Sequence, residues 1–138
     1  MVKTDLDPAL LAAYMDTDYM VSDDPPLRLR IGERNDDARI LLASFNVSTA
    51  AFITAWNPGS RRLTDEENED RQAELLTEIE QRRLNYLVGV GEGKDWQEYS
   101  YLVLGVSRED ATALGRQFEQ NAYVFLEIDG VPELVTLN

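Results

Sequence analysis

The run at residues 50–56 (AAFITAW) constrains the fold most, because nearly all of its side chains are apolar. A strand that is apolar at successive positions is typical of a central strand covered on both faces. A turn follows at residues 57–60 (NPGS), and Thr64 with Glu67 forms a capping box. That box begins the longest predicted helix, residues 65 to about 83. We therefore expect a sheet whose centre is buried on both sides.

The order of all the predicted helices and strands along the chain is α-β-α-β-α-β-β-α-β-β. It predicts one α+β (mixed α/β) domain over residues 1–138, with about four helices and a mixed sheet of about five to six strands. Residues 1–26 form an N-terminal helix and an acidic, proline-containing connection, and residues 27–138 form the core. Asp129-Gly130 predicts a two-residue turn in a C-terminal β-hairpin. Asp36 or Asp37 is the expected cap of the second helix.

Composition excludes several classes of function. The 138 residues include 26 acidic and 13 basic side chains, a net charge of −13, which argues against duplex nucleic acid as a partner. No apolar run approaches the roughly 18 residues of a membrane span, and the first residues lack a signal-peptide pattern, so we expect a cytoplasmic protein without membrane contact. The chain has no cysteine and no histidine. Any catalysis would rest on carboxylate, Arg, Tyr or Lys side chains.

Polar residues occupy the inward stripe of the long helix in its first two turns. At roughly 100° per residue, Asn68 lies within about 20° of the apolar Leu75, and Arg71 lies about 40° to one side. The same end of the helix carries free N–H groups and the positive end of the helix dipole. A chain that leaves a central strand and enters a helix is also where open α/β sheets bind ligands. Residues 52–71 are therefore a candidate pocket for a phosphate, nucleotide or carboxylate.

Five candidate residues have a predicted role in this pocket, and among them Trp56 forms an apolar wall. Asn57 and Ser60 supply hydrogen bonds, Asn68 orients the ligand and Arg71 provides positive charge. Glu98 and Ser100 project into the same cleft if their strand lies beside the central strand. The sequence leaves any cofactor unknown, and no metal ligand is predicted, since the acidic first turn of the helix is typical of solvated residues that compensate the dipole. The full set of candidates is Trp56, Asn57, Ser60, Glu67, Asn68, Arg71, Glu98 and Ser100.

Three alternatives remain open from the residues alone. The polar cluster could be structural, with Arg71 paired to Glu67 or to a buried carboxylate so that it braces the loop. The domain could be an acidic interaction or regulatory module that acts on a basic protein partner. It could also be an enzyme that uses Glu67 or Glu98 as base and Arg71 as electrostatic stabiliser, although we lean against catalysis.

Three segments resemble, in order and spacing, a bacterial family of unknown function, DUF3293. They are FITAWNPGSRRLTDEENEDR, WQEYSYLVLGVSREDATALGRQFEQNAYVF and DGVPELV, and LRLRIG extends the likeness to Leu27. The chain departs from the family where QEYS replaces an expected Pro-Glu-Glu-Ser, and where Glu119 replaces a usual glycine. Glu98 and Ser100 agree with the pattern. The resemblance implies a single small cytoplasmic domain and brings no activity, cofactor or catalytic residue.

Overall fold

A computed structural model describes residues 6–137, and these residues form four α-helices, one short 3-10 helix and one sheet of seven strands. The helices are α1 (Pro8–Met15), α2 (Asp36–Ser44), α3 (Asp65–Gln81) and α4 (Arg108–Gln117), with the 3-10 helix at Pro58–Ser60. The strands are β1 (Asp18–Val21), β2 (Leu27–Leu29), β3 (Thr49–Ile53), β4 (Asn85–Glu92), β5 (Gln97–Leu104), β6 (Ala122–Glu127) and β7 (Glu133–Thr136).

The strand order is β2-β1-β4-β5-β3-β6-β7, and every neighbouring pair is antiparallel. The α+β class is confirmed, but residues 6–137 hold seven strands, and the sheet is not mixed. The β4–β5 hairpin places β5 between β3 and β4, so the connection through α3 joins two strands that do not touch. The connection through α4 likewise skips β3. Helical crossovers therefore occur without any parallel pair.

β3 lies at the centre of two cores, as the apolar run predicts. Phe52 contributes to the core on the α2 side, together with Leu102 of β5. Its neighbour Ile53 contributes to the core on the other side, where Leu75 and Ile79 of α3 pack. Because successive side chains of a strand point to opposite faces, a strand covered on both faces needs apolar residues at every position.

β1 extends the sheet at its N-terminal edge. Residues 18–21, which lie within the predicted N-terminal segment 1–26, form a strand of the main sheet, paired with β2 on one side and β4 on the other. The division expected at residues 26 and 27 thus falls between two paired strands. Among the described helices, none has the length and apolar character that crossing a bilayer requires.

Local sequence signals set most element boundaries. The Thr64–Glu67 capping box is present at the start of α3. Asn35, and not Asp36 or Asp37, caps α2, because its Oδ1 accepts a hydrogen bond from the Ala38 N–H at 3.0 Å. The C-terminal hairpin is present with β7 at the sheet edge, but residues 128–132 connect its strands, so the turn is longer than two residues.

Candidate functional site

A cleft of about 820 Å³ lies where the chain leaves β3. Its walls come from α1, the segment between β3 and α3, the first turn of α3 and the tip of the β4–β5 hairpin. The volume lies within the range of roughly 300–1,000 Å³ that is usual for small-molecule sites. Five of the candidate residues line it, namely Trp56, Asn57, Ser60, Asn68 and Glu98.

Asn57 is the centre of the hydrogen bonding at the cleft floor. Its backbone is left-handed, with φ 49° and ψ 65°, a conformation that asparagine tolerates better than most residues. Its backbone N–H donates to Asn68 Oδ1 at 2.8 Å, and its own Oδ1 accepts from Asn68 Nδ2 at 2.9 Å and from Leu63 N at 3.0 Å. Its Nδ2 donates to Glu98 Oε2 at 2.7 Å. These bonds hold the turn in one geometry.

Glu98 is a half-buried carboxyl group on the cleft wall. Burial raises its pKa above the usual value, and the hydrogen bond from Asn57 opposes that rise. Among the described residues, no Arg or Lys forms an ion pair with it, and Asn57 is its only side-chain partner. A carboxylate accepts up to about four hydrogen bonds, so Glu98 keeps acceptor capacity toward the cleft.

Tyr14 of α1 also lines the cleft and was absent from the predicted set. Burial, with a further contribution from the negative charge of Glu98, raises its pKa to about 12, and an interaction with Ser60 opposes the rise. The helical pattern of α1 indicated only an apolar face for this residue. Its place at the cleft depends on how α1 packs against the segment after β3.

Two tryptophans form aromatic walls. Trp56 is buried and packs edge-to-face on Tyr99 with ring centroids 5.5 Å apart, and its Nε1 has no hydrogen-bond partner among residues 6–137. Trp96, at the hairpin tip, is 43% exposed. Its indole lies so close to Gly93 that a Cβ at that glycine would overlap the ring. The glycine-rich GVGEGK segment thus makes room for Trp96 at the tip of a hairpin.

Six charged residues line the cleft. The cations are Arg62 and Lys94, both exposed, and the structure of residues 6–137 gives neither an ion pair. Both side chains are therefore available to a bound anion. The acids are Asp65, Glu92, Asp95 and Glu98. Within the described part of the chain, no group of three or more acidic residues is placed to hold a metal ion.

Arg71 does not line the cleft. Its Nε donates to Ala55 O at 2.9 Å, its Nη2 donates to Phe118 O at 2.6 Å, and its Nη1 lies 3.6 Å from Glu119 Oε1. The guanidinium therefore connects the end of β3 to the end of α4, which supports the bracing alternative. Its carboxylate partner among the described residues is the exposed Glu119, and neither Glu67 nor a buried carboxylate as that alternative expected.

Two glutamines beside Arg71 share the bracing and were not predicted. Gln72 is buried, and its Oε1 accepts from the Ala55 N–H at 3.0 Å, while its Nε2 has no partner among the described residues. Gln120 Nε2 donates to Trp56 O at 3.0 Å and to Phe118 O at 3.2 Å. Gln72 stands three residues before Leu75 on the inward side of α3, and that spacing could have identified it.

The other candidates have local partners. Glu67 is exposed outside the cleft, where its Oε1 accepts from Thr64 Oγ1 at 2.9 Å as part of the capping box. Ser60 Oγ accepts from Asn121 Nδ2 at 2.7 Å and remains at the cleft. Ser100 is buried beyond the lining, and its Oγ donates to Glu98 O at 3.3 Å. The structure thus brings five candidates to one cleft and places Glu67, Arg71 and Ser100 elsewhere.

Comparison with known proteins identifies the family. The family described as "Protein of unknown function (DUF3293)" matches residues 53–123, which are 71 of the 138 residues and just over half of the chain. The chain therefore belongs to this family, and the resemblance is confirmed over that range. The match includes β5, α3 and the turn after β3, and α1 lies before it. No curated protein and no solved structure matches the chain.

Proposed function

We propose that this member of the DUF3293 family binds a small anionic ligand in the cleft beside residues 52–71. Of the three expected classes, phosphate, carboxylate and nucleotide, the nucleotide fits best. The observation that carries the proposal is the cleft of about 820 Å³ with tryptophan walls and two unpaired cations. A cytoplasmic location stays a prediction.

The cations available to an anion in the cleft differ from Arg71, the cation predicted from the sequence. The guanidinium of Arg71 is used by two backbone carbonyls and Glu119, whereas Arg62 and Lys94 line the cleft without ion pairs in the described structure. Charge-assisted hydrogen bonds from Arg and Lys are the usual means of holding phosphate oxygens. We therefore assign the ligand's anionic group to Arg62 and Lys94.

Size and aromatic lining support a ligand with a ring. Inorganic phosphate would fill only a small part of about 820 Å³. A base that stacks on an aromatic side chain contributes roughly 1–3 kcal/mol, and every nucleobase offers a flat face for it. Trp96 is exposed enough to provide such a face, and Trp56 lies on the inner wall.

The test is calorimetric titration of the protein with GMP, AMP, CMP, UMP, citrate and inorganic phosphate at low salt. We expect a nucleotide to bind more tightly than phosphate or citrate. Replacing Arg62 and Lys94 together by alanine should weaken nucleotide binding about tenfold or more, equivalent to about 1.4 kcal/mol. Arg61→Ala is the matched control, because Arg61 is exposed and does not line the cleft.

Two results would contradict the proposal. One is an absence of binding by all six compounds. The other is nucleotide binding that persists unchanged when Arg62 and Lys94 are both replaced. The second result would place the anionic group away from the two cations that now support the assignment.

A second candidate function, an acidic module for a basic protein partner, is favoured by α3. The carboxylates of this helix form no ion pair with the described arginines and lysines, and the helix itself carries only one cation, Arg71. The test is binding of an arginine-rich peptide at low and high salt. Neutralising Glu69, Asp70 and Glu74 should weaken binding. Neutralising Asp23, Asp24 and Glu109 removes equal charge elsewhere and should have a smaller effect.

A further inference from the structure

The Glu98 carboxylate is the unusual group in the cleft, because it is half-buried and no arginine or lysine of residues 6–137 forms an ion pair with it. Its one side-chain hydrogen bond in the described structure is the 2.7 Å bond that Oε2 accepts from Asn57 Nδ2. Removing a carboxylate from water is costly unless hydrogen-bond donors replace the lost water. A ligand that donates to Glu98 therefore gains more than one that leaves this oxygen pair unused.

The geometry of a carboxylate selects the kind of donor. Its two oxygens accept two parallel N–H groups from one planar partner, and an oxygen that already accepts one bond can accept a second. Guanidinium groups and the guanine base both present adjacent N–H donors, N1–H and the N2 amino group in guanine. Adenine presents a donor beside the N1 acceptor, so one carboxylate oxygen would face a lone pair.

We infer that Glu98 recognises paired N–H donors and that the cleft therefore prefers guanine nucleotides to adenine nucleotides. The base lies against Trp56 and Trp96, with its N1 and N2 edge toward Glu98, and the phosphate lies toward Arg62 and Lys94. This inference rests on the proposed function, because it names the base of the nucleotide that the cleft binds.

Position within the site favours Glu98 over the other acids of the lining. Asp65, Glu92 and Asp95 are exposed, so water competes for their oxygens and weakens any discrimination. Glu98 is held by Asn57, which is itself held by Asn68 through two hydrogen bonds. A carboxylate fixed in this way loses little rotamer freedom when a ligand binds.

The test is calorimetric titration with GMP, IMP and AMP, and with agmatine as a guanidinium compound without phosphate. IMP retains N1–H and lacks the N2 amino group, so wild-type affinity should fall in the order GMP, IMP, AMP. We expect at least about a tenfold difference between GMP and AMP, since bonds to a charged acceptor are strong. This ranking is measured on the wild-type protein and requires no variant to fold.

Glu98→Gln tests the residue directly. The amide oxygen can still accept the Asn57 bond, so the fold should persist, which a melting curve checks. GMP affinity should fall about tenfold, while AMP affinity stays within about twofold. Glu66→Gln is the matched control, because Glu66 is exposed on α3 outside the cleft, and it should leave all three affinities unchanged.

Different outcomes separate the inference from the proposed function. Equal binding of GMP, IMP and AMP, weakened by replacement of Arg62 and Lys94, would overturn guanine selection and leave nucleotide binding in place. A GMP preference that persists in Glu98→Gln would also overturn the inference. Binding of agmatine, with no binding of any nucleotide, citrate or phosphate, would overturn both proposals and would indicate a cationic ligand.

Discussion

Two polar clusters flank the segment that leaves β3, and they differ in what their hydrogen bonds reach. The Arg71 cluster (Arg71, Gln72 and Gln120) bonds to backbone atoms of Ala55, Trp56 and Phe118. The Asn57 cluster (Asn57, Asn68 and Glu98) bonds largely among its own members and lines the cleft. The Arg71 cluster connects the end of β3 to the end of α4. The Asn57 cluster leaves the Glu98 carboxylate with acceptor capacity toward the cleft.

This difference separates two kinds of polar residue on one helix, those that bond to the backbone and those that face the cleft. Asn68 and Arg71 are three residues apart on α3, and both are polar on its inward side. Arg71 directs its donors to main-chain carbonyls, which must be satisfied when buried. Asn68 orients Asn57, which in turn holds Glu98. Remaining hydrogen-bonding capacity that faces a cavity, and not polarity alone, marks the candidate site.

The largest expected effect is on stability, from Arg71→Ala. Loss of two bonds from a charged donor to buried carbonyls should lower the free energy of unfolding by about 3 kcal/mol. Tm should fall by roughly 10 °C. Thermal melting checks this, with Arg61→Ala as the exposed control that should change little. A variant that melts normally but no longer binds the ligand would show that Arg71 acts in ligand binding and does not brace the fold.

Asn68→Ala should affect stability and binding together. Asn68 is 1% exposed, and its amide makes two hydrogen bonds to Asn57, so we expect a loss of about 2 kcal/mol in the free energy of unfolding. Ligand affinity should also fall, because Glu98 loses its orientation through Asn57. Urea denaturation and calorimetry measure the two effects. Asn85→Ala, at an exposed position, is the control, and normal binding by Asn68→Ala would separate it from the site.

Changes at the hairpin tip should lower affinity and spare stability. Trp96→Ala removes an exposed aromatic wall, and the ligand should bind about tenfold more weakly, as expected for one lost stacking contact. Gly93→Ala should act in the same direction, because the new Cβ displaces the Trp96 indole. Calorimetry and melting curves check both. Val88→Ala is the control, because Val88 is an exposed apolar residue on β4 outside the cleft, and it should leave affinity unchanged.

The smallest expected effect is the pH dependence of Glu98→Gln. Burial raises the pKa of Glu98 in the folded protein, so the folded state holds its proton more tightly than the unfolded state does. Its contribution to stability is then present at low pH and is lost as pH rises through the folded pKa. Glu98→Gln should therefore gain stability relative to wild type at neutral pH, and the gain should shrink as the pH falls through the raised pKa toward 4.5, the usual value of a glutamate, and be absent below it.

Urea denaturation from pH 4 to pH 8 measures that difference. A difference in unfolding free energy that grows as the pH falls would show that the folded protein stabilises the carboxylate. Glu98 would then have a structural role like that of the Arg71 cluster. The pKa of Tyr14 offers an independent check, because the charge of Glu98 helps to raise it to about 12. Its tyrosine resonance should titrate at lower pH in Glu98→Gln.

The sequence alone was sufficient for features that depend on short-range patterns. The apolar run identified β3, the Thr64–Glu67 box located the start of α3, and helical spacing placed Asn68 on the buried side. Capping bonds span three residues and strand periodicity spans two, so neither needs knowledge of distant elements. The α+β class followed from the same local signals, whereas the number of strands required the position of β1.

Tertiary structure decided which polar residues meet. Glu98 reaches Asn57 across 41 residues only because β5 pairs beside β3, and Tyr14 reaches the cleft through the packing of α1. Arg71 lies about 40° from the centre of the buried stripe of α3, an angle that permits either a ligand or a backbone partner. In the structure its donors reach the backbone carbonyls of Ala55 and Phe118. Their position depends on β3 and α4 packing together, a long-range arrangement that no local pattern encodes.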